Sequence, residues 1–168
     1  IWLQAPAGAI PERHAAAEVA EAALGTATAL HAAANLLLMS DGQDLGQAVG
    51  DARSDWFAVS GKRHRGPYTT PDDGSDLLGP MVPTIFLFDR YPGGTGLAER
   101  LYEERHRLLS SARAAVARCP CARGCPACVG PGASRGAKSL AVTLLSALQS
   151  ACSPATARPQ MAATAATS

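Results

Sequence analysis

The chain has 168 residues, 47% of them hydrophobic and only 17% charged, with a formal net charge of +1. That length suits one domain with tails and supplies enough apolar side chains for a real core. It carries no charged segment leading into an apolar run of the kind that marks a secretory leader, and Pro154 interrupts the uncharged stretch 139–157, which is therefore not read as a membrane span.

The charge is unevenly distributed. Residues 1–89 carry five Lys/Arg against eleven Asp/Glu, whereas residues 90–168 carry ten against three. A basic half suits a polyanion, and it equally suits contact with an acidic half or a neighbouring domain. The chain opens on Ile1-Trp2-Leu3, which reads as a strand, and is expected to be a piece of something longer.

Pro11 and Glu12 suit the first turn of a helix. Apolar residues then recur at Val19, Ala23, Ala27, Leu30, Ala34 and Leu37, the three-and-four spacing of one buried helical stripe, with a kink expected near Gly25, Thr26 and Thr28. His31 and Asn35 fall one turn apart on this helix; they can be ligands, or a core histidine hydrogen-bonded to its neighbour. Asp41 to Gly46 reads as a turn, its aspartates better explained by turn chemistry than by a cation.

Asp55 to Gly61 reads as a strand, followed by a long surface loop from Lys62 to Pro83 with a small basic cluster, Lys62-Arg63-His64-Arg65. Thr84 to Asp89 is the best strand, apolar enough to predict burial on both faces. Pro92-Gly93-Gly94-Thr95-Gly96 then opens a helix with apolar positions Leu97, Leu101, Leu108, Ala112 and Val116, with a split expected at Ser110-Ser111. A Gly-rich strand-to-helix turn can hold an anion on helix N–H groups, but no Gly-Lys-Ser/Thr follows and the dinucleotide pattern is absent, so a tight turn explains it. Leu140, Ala141, Leu144, Leu145 and Leu148 mark one face of a last helix, and residues 153–168 lack any apolar period and are expected to form a disordered tail.

Between the last two helices lies Cys119-Pro-Cys121-Ala-Arg-Gly-Cys125-Pro-Ala-Cys128. Four thiolates can close a tetrahedron around one Zn²⁺, and Pro120, Gly124 and Pro126 let the loop bend its sulfurs inward. Two disulfides within ten residues would be strained, so metal-bound thiolates in a reducing, cytoplasmic setting fit better, with an iron–sulfur cluster as the alternative to zinc. A closed shell of four thiolates leaves no open coordination position, which makes the metal structural and not catalytic. Arg118, Arg123, Arg135 and Lys138 surround the loop. They either offset the double negative charge of a zinc–tetrathiolate centre or reach a nucleic-acid backbone. The lone Cys152 is read as a bystander, and a cysteine-based enzyme would need a histidine partner that only His106 offers nearby in sequence. The fold class read from these elements is α+β: a helix-rich small domain over residues 1–150, with a short sheet and a four-cysteine loop between two helices.

The run Asp89-Arg-Tyr-Pro92-Gly93-Gly94-Thr-Gly96-Leu-Ala followed by the cysteine loop resembles the C-terminal zinc-binding domain of mitomycin-repair-type DEAD/DEAH-box superfamily 2 DNA helicases. Trp2-Leu3, the His31-Ala-Ala-Ala-Asn35-Leu-Leu segment and Asp44-Leu45-Gly46 resemble the same domain, while Leu38 to Gln43 departs from its pattern. The resemblance implies a non-catalytic domain of an ATP-dependent DNA-repair helicase, with zinc on Cys119, Cys121, Cys125 and Cys128. The implied partners are the protein's own motor domains, which would hold ATP and Mg²⁺, and DNA engaged as a single strand. This stretch of chain has no P-loop and no Asp-Glu-x-Asp/His box of its own. A freestanding zinc interaction module or iron–sulfur protein is the rival reading.

Overall fold

A computed structural model describes residues 1–11, 13–52, 57–59, 62–63, 81–131 and 136–152. Five short strands form one antiparallel sheet: β1 (Trp2–Gln4), β2 (Leu45–Asp51), β3 (Phe57–Val59), β4 (Lys62–Arg63) and β5 (Pro83–Asp89), in the order β1-β5-β2-β3-β4. β5 is paired on both edges, with Leu3 and Val49 both opposite Ile85. Five helices accompany the sheet: α1 (Ala16–Leu38), α2 (Leu97–Glu103), α3 (Arg105–Arg118), α4 (Pro126–Val129) and α5 (Ala137–Ala151). The α+β class with the cysteine loop between two helices is therefore observed.

α1 organises the molecule. It packs on β2 and β5 along one side and on α3, α4 and α5 along the other. Val19, Ala23, Ala27, Leu30 and Ala34 are buried as the periodicity requires, while Leu37 is only partly covered and Leu38 is buried in its place. Alanine at Ala22, Ala23 and Ala34, all fully buried, lets neighbouring backbones approach closely. The helix starts at Ala16, four residues beyond the expected Pro11–Glu12 start, because Pro11 instead accepts from the His14 N–H in a preceding turn. It runs as one continuous element through Gly25, Thr26 and Thr28. Both threonine hydroxyls donate to the carbonyl four residues back, at 2.8 and 3.0 Å, so neither leaves an unmet polar group.

Three other expectations change. β2 was read as a turn at its start; instead Leu45–Asp51 is a strand spanning the sheet's centre. β5 is not buried on both faces: Ile85 and Leu87 are 1% exposed on the helix side, whereas Phe88 is 39% exposed on the other. This fits an antiparallel sheet covered by helices on one face. The break between α2 and α3 falls at Glu104, and Ser110 and Ser111 lie inside α3 on its exposed side. At the break Arg105 Nη1 donates to the Tyr102 carbonyl at 2.8 Å, adding a side-chain donor at the helix end.

α5 buries Leu140, Ala141, Leu144, Leu145 and Leu148 as expected. The strand read over Asp55–Gly61 is described only at Phe57–Val59, and the loop from His64, its basic cluster beyond Arg63, and the tail at 153–168 lie outside the described residues. Among the described residues no helix is long and apolar enough to cross a membrane.

Candidate metal centre

Three of the four cysteines are delivered by a local rule. Cys119 precedes Pro120, whose ring disfavours helical geometry in the residue before it, and α3 ends there with Cys119 extended at φ −59°, ψ 130°. Gly124 takes φ 117°, which a side chain would resist, and turns the chain back toward Cys125. Cys125 is the extended N-cap of the short helix α4, and Pro126 occupies its first position. That single turn brings Cys128 back over Cys125, whose N–H donates to the Cys128 sulfur at 3.4 Å.

The result is a compact sulfur cluster. Cys119 and Cys125 Sγ lie 3.6 Å apart, Cys121 and Cys128 Sγ 3.5 Å, and Cys125 and Cys128 Sγ 3.6 Å. All four sulfurs lie within 4.8 Å of one another. A zinc tetrahedron with bonds of about 2.3 Å places its sulfurs about 3.8 Å apart, so the four thiols sit almost where one ion needs them. The spacing fits a single ion better than a cluster, which spreads its thiolates over several irons.

Electrostatics divides the thiols. Hydrogen bonds from the Cys119 and Cys128 side chains, then from backbone amides, bring Cys125 down to about 7, while burial pushes Cys128 up to about 12. Cys125 is thus the thiol already disposed to be a thiolate near neutral pH. The lone Cys152 at the end of α5 is raised by burial, opposed by the positive charge of Arg105, and stands apart from the cluster.

The loop is seated on α1 by two glycines, Gly25 and Gly130, and packed internally and toward α5 at Gly124. A Cβ on Gly25 would lie 3.0 Å from the Val129 Cβ and 3.2 Å from its carbonyl oxygen. Gly130, at φ 81°, would place a Cβ 3.0 Å from Thr28 Oγ1, and Gly124 would meet Val129 at 2.8 Å. Side-chain bulk at Gly25 or Gly130 would push the cysteine loop off the long helix, and bulk at Gly124 would press on Val129 within the loop.

α5 holds the loop from the other side. Lys138 Nζ donates to the carbonyls of Cys119 at 2.6 Å and Cys121 at 2.7 Å, and the Lys138 N–H donates to Arg123 O at 3.4 Å. Of the four basic residues flagged in the sequence, Arg118 and Arg123 are exposed, Lys138 is engaged inside the loop, and Arg135 lies outside the described residues. The clamp by Lys138 was not legible beforehand, because a lysine after a metal loop looks the same whether it points in or out.

The other flagged positions resolve into structure. Asp89 fills the Gly-rich turn with its own carboxylate: Oδ2 accepts from Thr95 N at 2.8 Å and Gly96 N at 3.0 Å, and Oδ1 from Ala98 N at 3.0 Å. The amides that might have met a phosphate are thereby taken. His31 Nε2 bonds the Leu45 carbonyl at 3.1 Å and its Nδ1 faces Asn35 Nδ2 at 3.4 Å. With Nε2 donating to that carbonyl and Nδ1 facing the amide, His31 ties α1 to β2. Asp41 Oδ1 accepts from Gln43 N and Asp44 Oδ2 from Asp41 N, both at 3.0 Å, which is turn chemistry. His106 is exposed on α3, and the cluster holds sulfur alone among the described residues.

Comparison with known proteins follows the same stretch of chain. The family described as MZB, the MrfA Zn-binding domain, matches residues 26–129, more than half of the chain, from the middle of α1 to the last residue of α4. The chain belongs to the MrfA Zn-binding domain family. Among solved structures it is similar to the DUF1998 helicase MrfA bound to DNA, with 26% identity and a TM-score of 0.59 over 83% of this chain and 16% of that one. It is 47% identical over 49 residues to YprA of Bacillus subtilis, named as an uncharacterised ATP-dependent helicase, covering 29% of this chain and 6% of YprA. It is also 47% identical over 45 residues to the Methanocaldococcus jannaschii protein MJ1572.1, covering 27% of this chain and 40% of that protein. The MZB chain thus spans only a small part of the helicases it matches.

Proposed function

We propose that this MZB chain is the structural zinc domain of an ATP-dependent DNA helicase acting in DNA repair. In this reading Cys119, Cys121, Cys125 and Cys128 hold one Zn²⁺, and the loop so fixed braces the motor domains and lies along a single DNA strand through Arg118 and Arg123. The observation that carries the zinc assignment is the sulfur spacing of 3.5–3.6 Å, close to that of a single tetrahedral ion. Zinc there supplies a cross-link between the end of α3 and the short helix α4, a connection too short and too polar to order itself by burial. Four thiolates leave no position for water or substrate, so the centre holds shape and carries no reaction. Support for the helicase parent comes from membership in the MrfA Zn-binding domain family and from the likeness to a helicase solved with DNA. ATP and Mg²⁺ belong, on this reading, to motor domains elsewhere in the protein, in the cytoplasm, with residues 153–168 a tail.

Metal analysis of the full-length protein tests it. One zinc per chain and a colourless solution are expected; a brown protein with several irons per chain would instead favour the iron–sulfur alternative. Cys125→Ser should lower solubility and melting temperature together, and a variant that loses its metal yet melts unchanged would remove the structural role.

A further inference from the structure

We infer that the solvent face of α3 is a phosphate track that extends the DNA contact of the cysteine loop along the helix. The inference rests on the DNA reading above and adds residues to it. α3 buries Leu108, Leu109, Ala112 and Val116, which fixes the face it turns outward. At about 100° per residue, Ser110, Ala114 and Ala117 fall on the crest of that outer face, Ser110 and Ala117 exposed and Ala114 partly covered. They are small, so a strand can lie close to the helix. Arg107 and Arg118 fall along one flank of the crest, and Arg113 falls along the other; all three are exposed. The axial steps between them are about 9 Å and about 7.5 Å at 1.5 Å per residue, roughly two nucleotide spacings each in a stacked strand.

Most of the charge on this face has no acidic partner. After Glu104 the chain contains no Asp or Glu through Ser168, so no acidic side chain downstream on α3, in the loop or on α5 can neutralise it, and the loop thiolates are the one negative group near its Cys119 end. Arg113, Arg118 and Arg123 have no ion-pair partner among the described residues. Arg107 does pair with Glu104 at 3.0 Å, but both are on the surface, where such a pair contributes little and yields readily to a phosphate. Arg105 is different: it stacks over Tyr102 at 4.7 Å and bonds the Tyr102 carbonyl, so it belongs to the helix junction and not to the track. α3 runs directly into Cys119, and so the track and the exposed Arg123 of the loop are continuous along the chain. A row of exposed guanidinium groups, one in a surface pair and the others without an acidic partner, beside small residues and with no aromatic or large apolar side chain on the crest, fits a phosphate backbone and offers nothing for reading bases.

The test measures fluorescence anisotropy of the full-length protein on labelled oligo-dT and on a duplex of equal length, over a range of KCl. Arg107→Gln with Arg113→Gln should reduce the slope of log K against log[salt] by about 1.4 for the single strand, two contacts at roughly 0.7 each. Arg123→Gln, in the loop, should reduce it by about 0.7. Lysine at 107 and 113 should restore the slope, because a phosphate contact of this kind needs charge more than shape. An unchanged slope in the α3 double variant beside a reduced one in Arg123→Gln would overturn the track and leave the DNA reading standing. Unchanged slopes in both would sink the two together. A lower melting temperature with an unchanged slope would assign these arginines to contact within the protein, and it too would overturn the inference. A larger loss on duplex than on single strand would keep the track and reassign its ligand to the duplex backbone.

Discussion

Lys138 Nζ lies 2.6 Å from the Cys119 carbonyl oxygen and 2.7 Å from that of Cys121. One ammonium thereby fixes the backbone of two candidate ligands that have no helix or strand of their own to hold them. Its positive charge also lies beside a centre that four thiolates would make negative. Replacing it with methionine keeps an apolar stem of similar length and removes both donations. Lys138→Met is expected to weaken zinc binding roughly ten- to a hundredfold, the range for lost outer partners of a metal site. Competition with a chelating dye measures it. Zinc retained as tightly as in the wild type would reduce Lys138 to a surface charge.

The thiols predict a pH profile. Zinc binds thiolates, so each thiol that is protonated in the metal-free protein costs one decade of affinity per unit fall in pH. Cys128, pushed up to about 12, is protonated across the whole neutral range and contributes throughout. Cys125, held near 7, is a thiolate above that value and a thiol below it. Its folded-state value is lowered, so its contribution to affinity is present above about 7 and lost as pH falls through it. The plot of log affinity against pH should therefore steepen by one unit on passing below 7. A constant slope from pH 8 to pH 6 is the contrary result.

How much of this was visible beforehand depended on whether a feature was local. The cysteine spacing is chemistry written in ten consecutive residues, and the stripe on α5 repeats every three or four, so both were legible. β2 was not. Gly46, Gln47, Gly50 and Asp51 are poor strand formers, and the segment is extended because β5 lies beside it and the Phe88 ring occupies the space over Gly46, where any Cβ would collide with it. The break at Glu104 was misplaced for a similar reason: Ser110 and Ser111 look like a cap in sequence, yet on an exposed helix face they have no cause to end it. The sulfur cluster was legible as a set, but its seat on Gly25 joins residues more than a hundred apart and its clamp at Lys138 residues 19 apart, and no local pattern announces either.

Asp89 predicts a stability effect separate from the metal. Its carboxylate meets three backbone amides at the start of α2. Asp89→Ala leaves all three without that acceptor and should cost about 2–3 kcal/mol, while Asp89→Asn retains one good acceptor oxygen and should cost about 1 kcal/mol. For a chain of this size each kcal/mol corresponds to roughly 2–4 °C in Tm. Zinc content should stay at one per chain in both variants, measured on the same samples. Loss of metal in Asp89→Asn would mean that the turn and the cysteine loop fold as one unit.

Gly25 sets two effects against each other, and distance decides between them. In an exposed helix interior Gly→Ala gains about 1 kcal/mol. Here the new methyl would lie 3.0 Å from the Val129 Cβ and 3.2 Å from the Val129 carbonyl oxygen, tighter than ordinary contact on both. Val129 cannot move away freely, because its N–H donates to the Cys125 carbonyl within α4 and Cys128, one residue earlier, is a candidate ligand. Relief must come from lifting the whole loop off α1, which opens packing around Val129 and strains the sulfur tetrahedron. Overpacking of this kind costs about 1–3 kcal/mol and outweighs the propensity gain. Gly25→Ala should therefore lower Tm by several degrees and speed zinc release to a chelator, and Gly25→Leu should do both more severely. A Gly25→Ala protein that melts higher and keeps its zinc would show that the loop can shift by a few tenths of an ångström without cost.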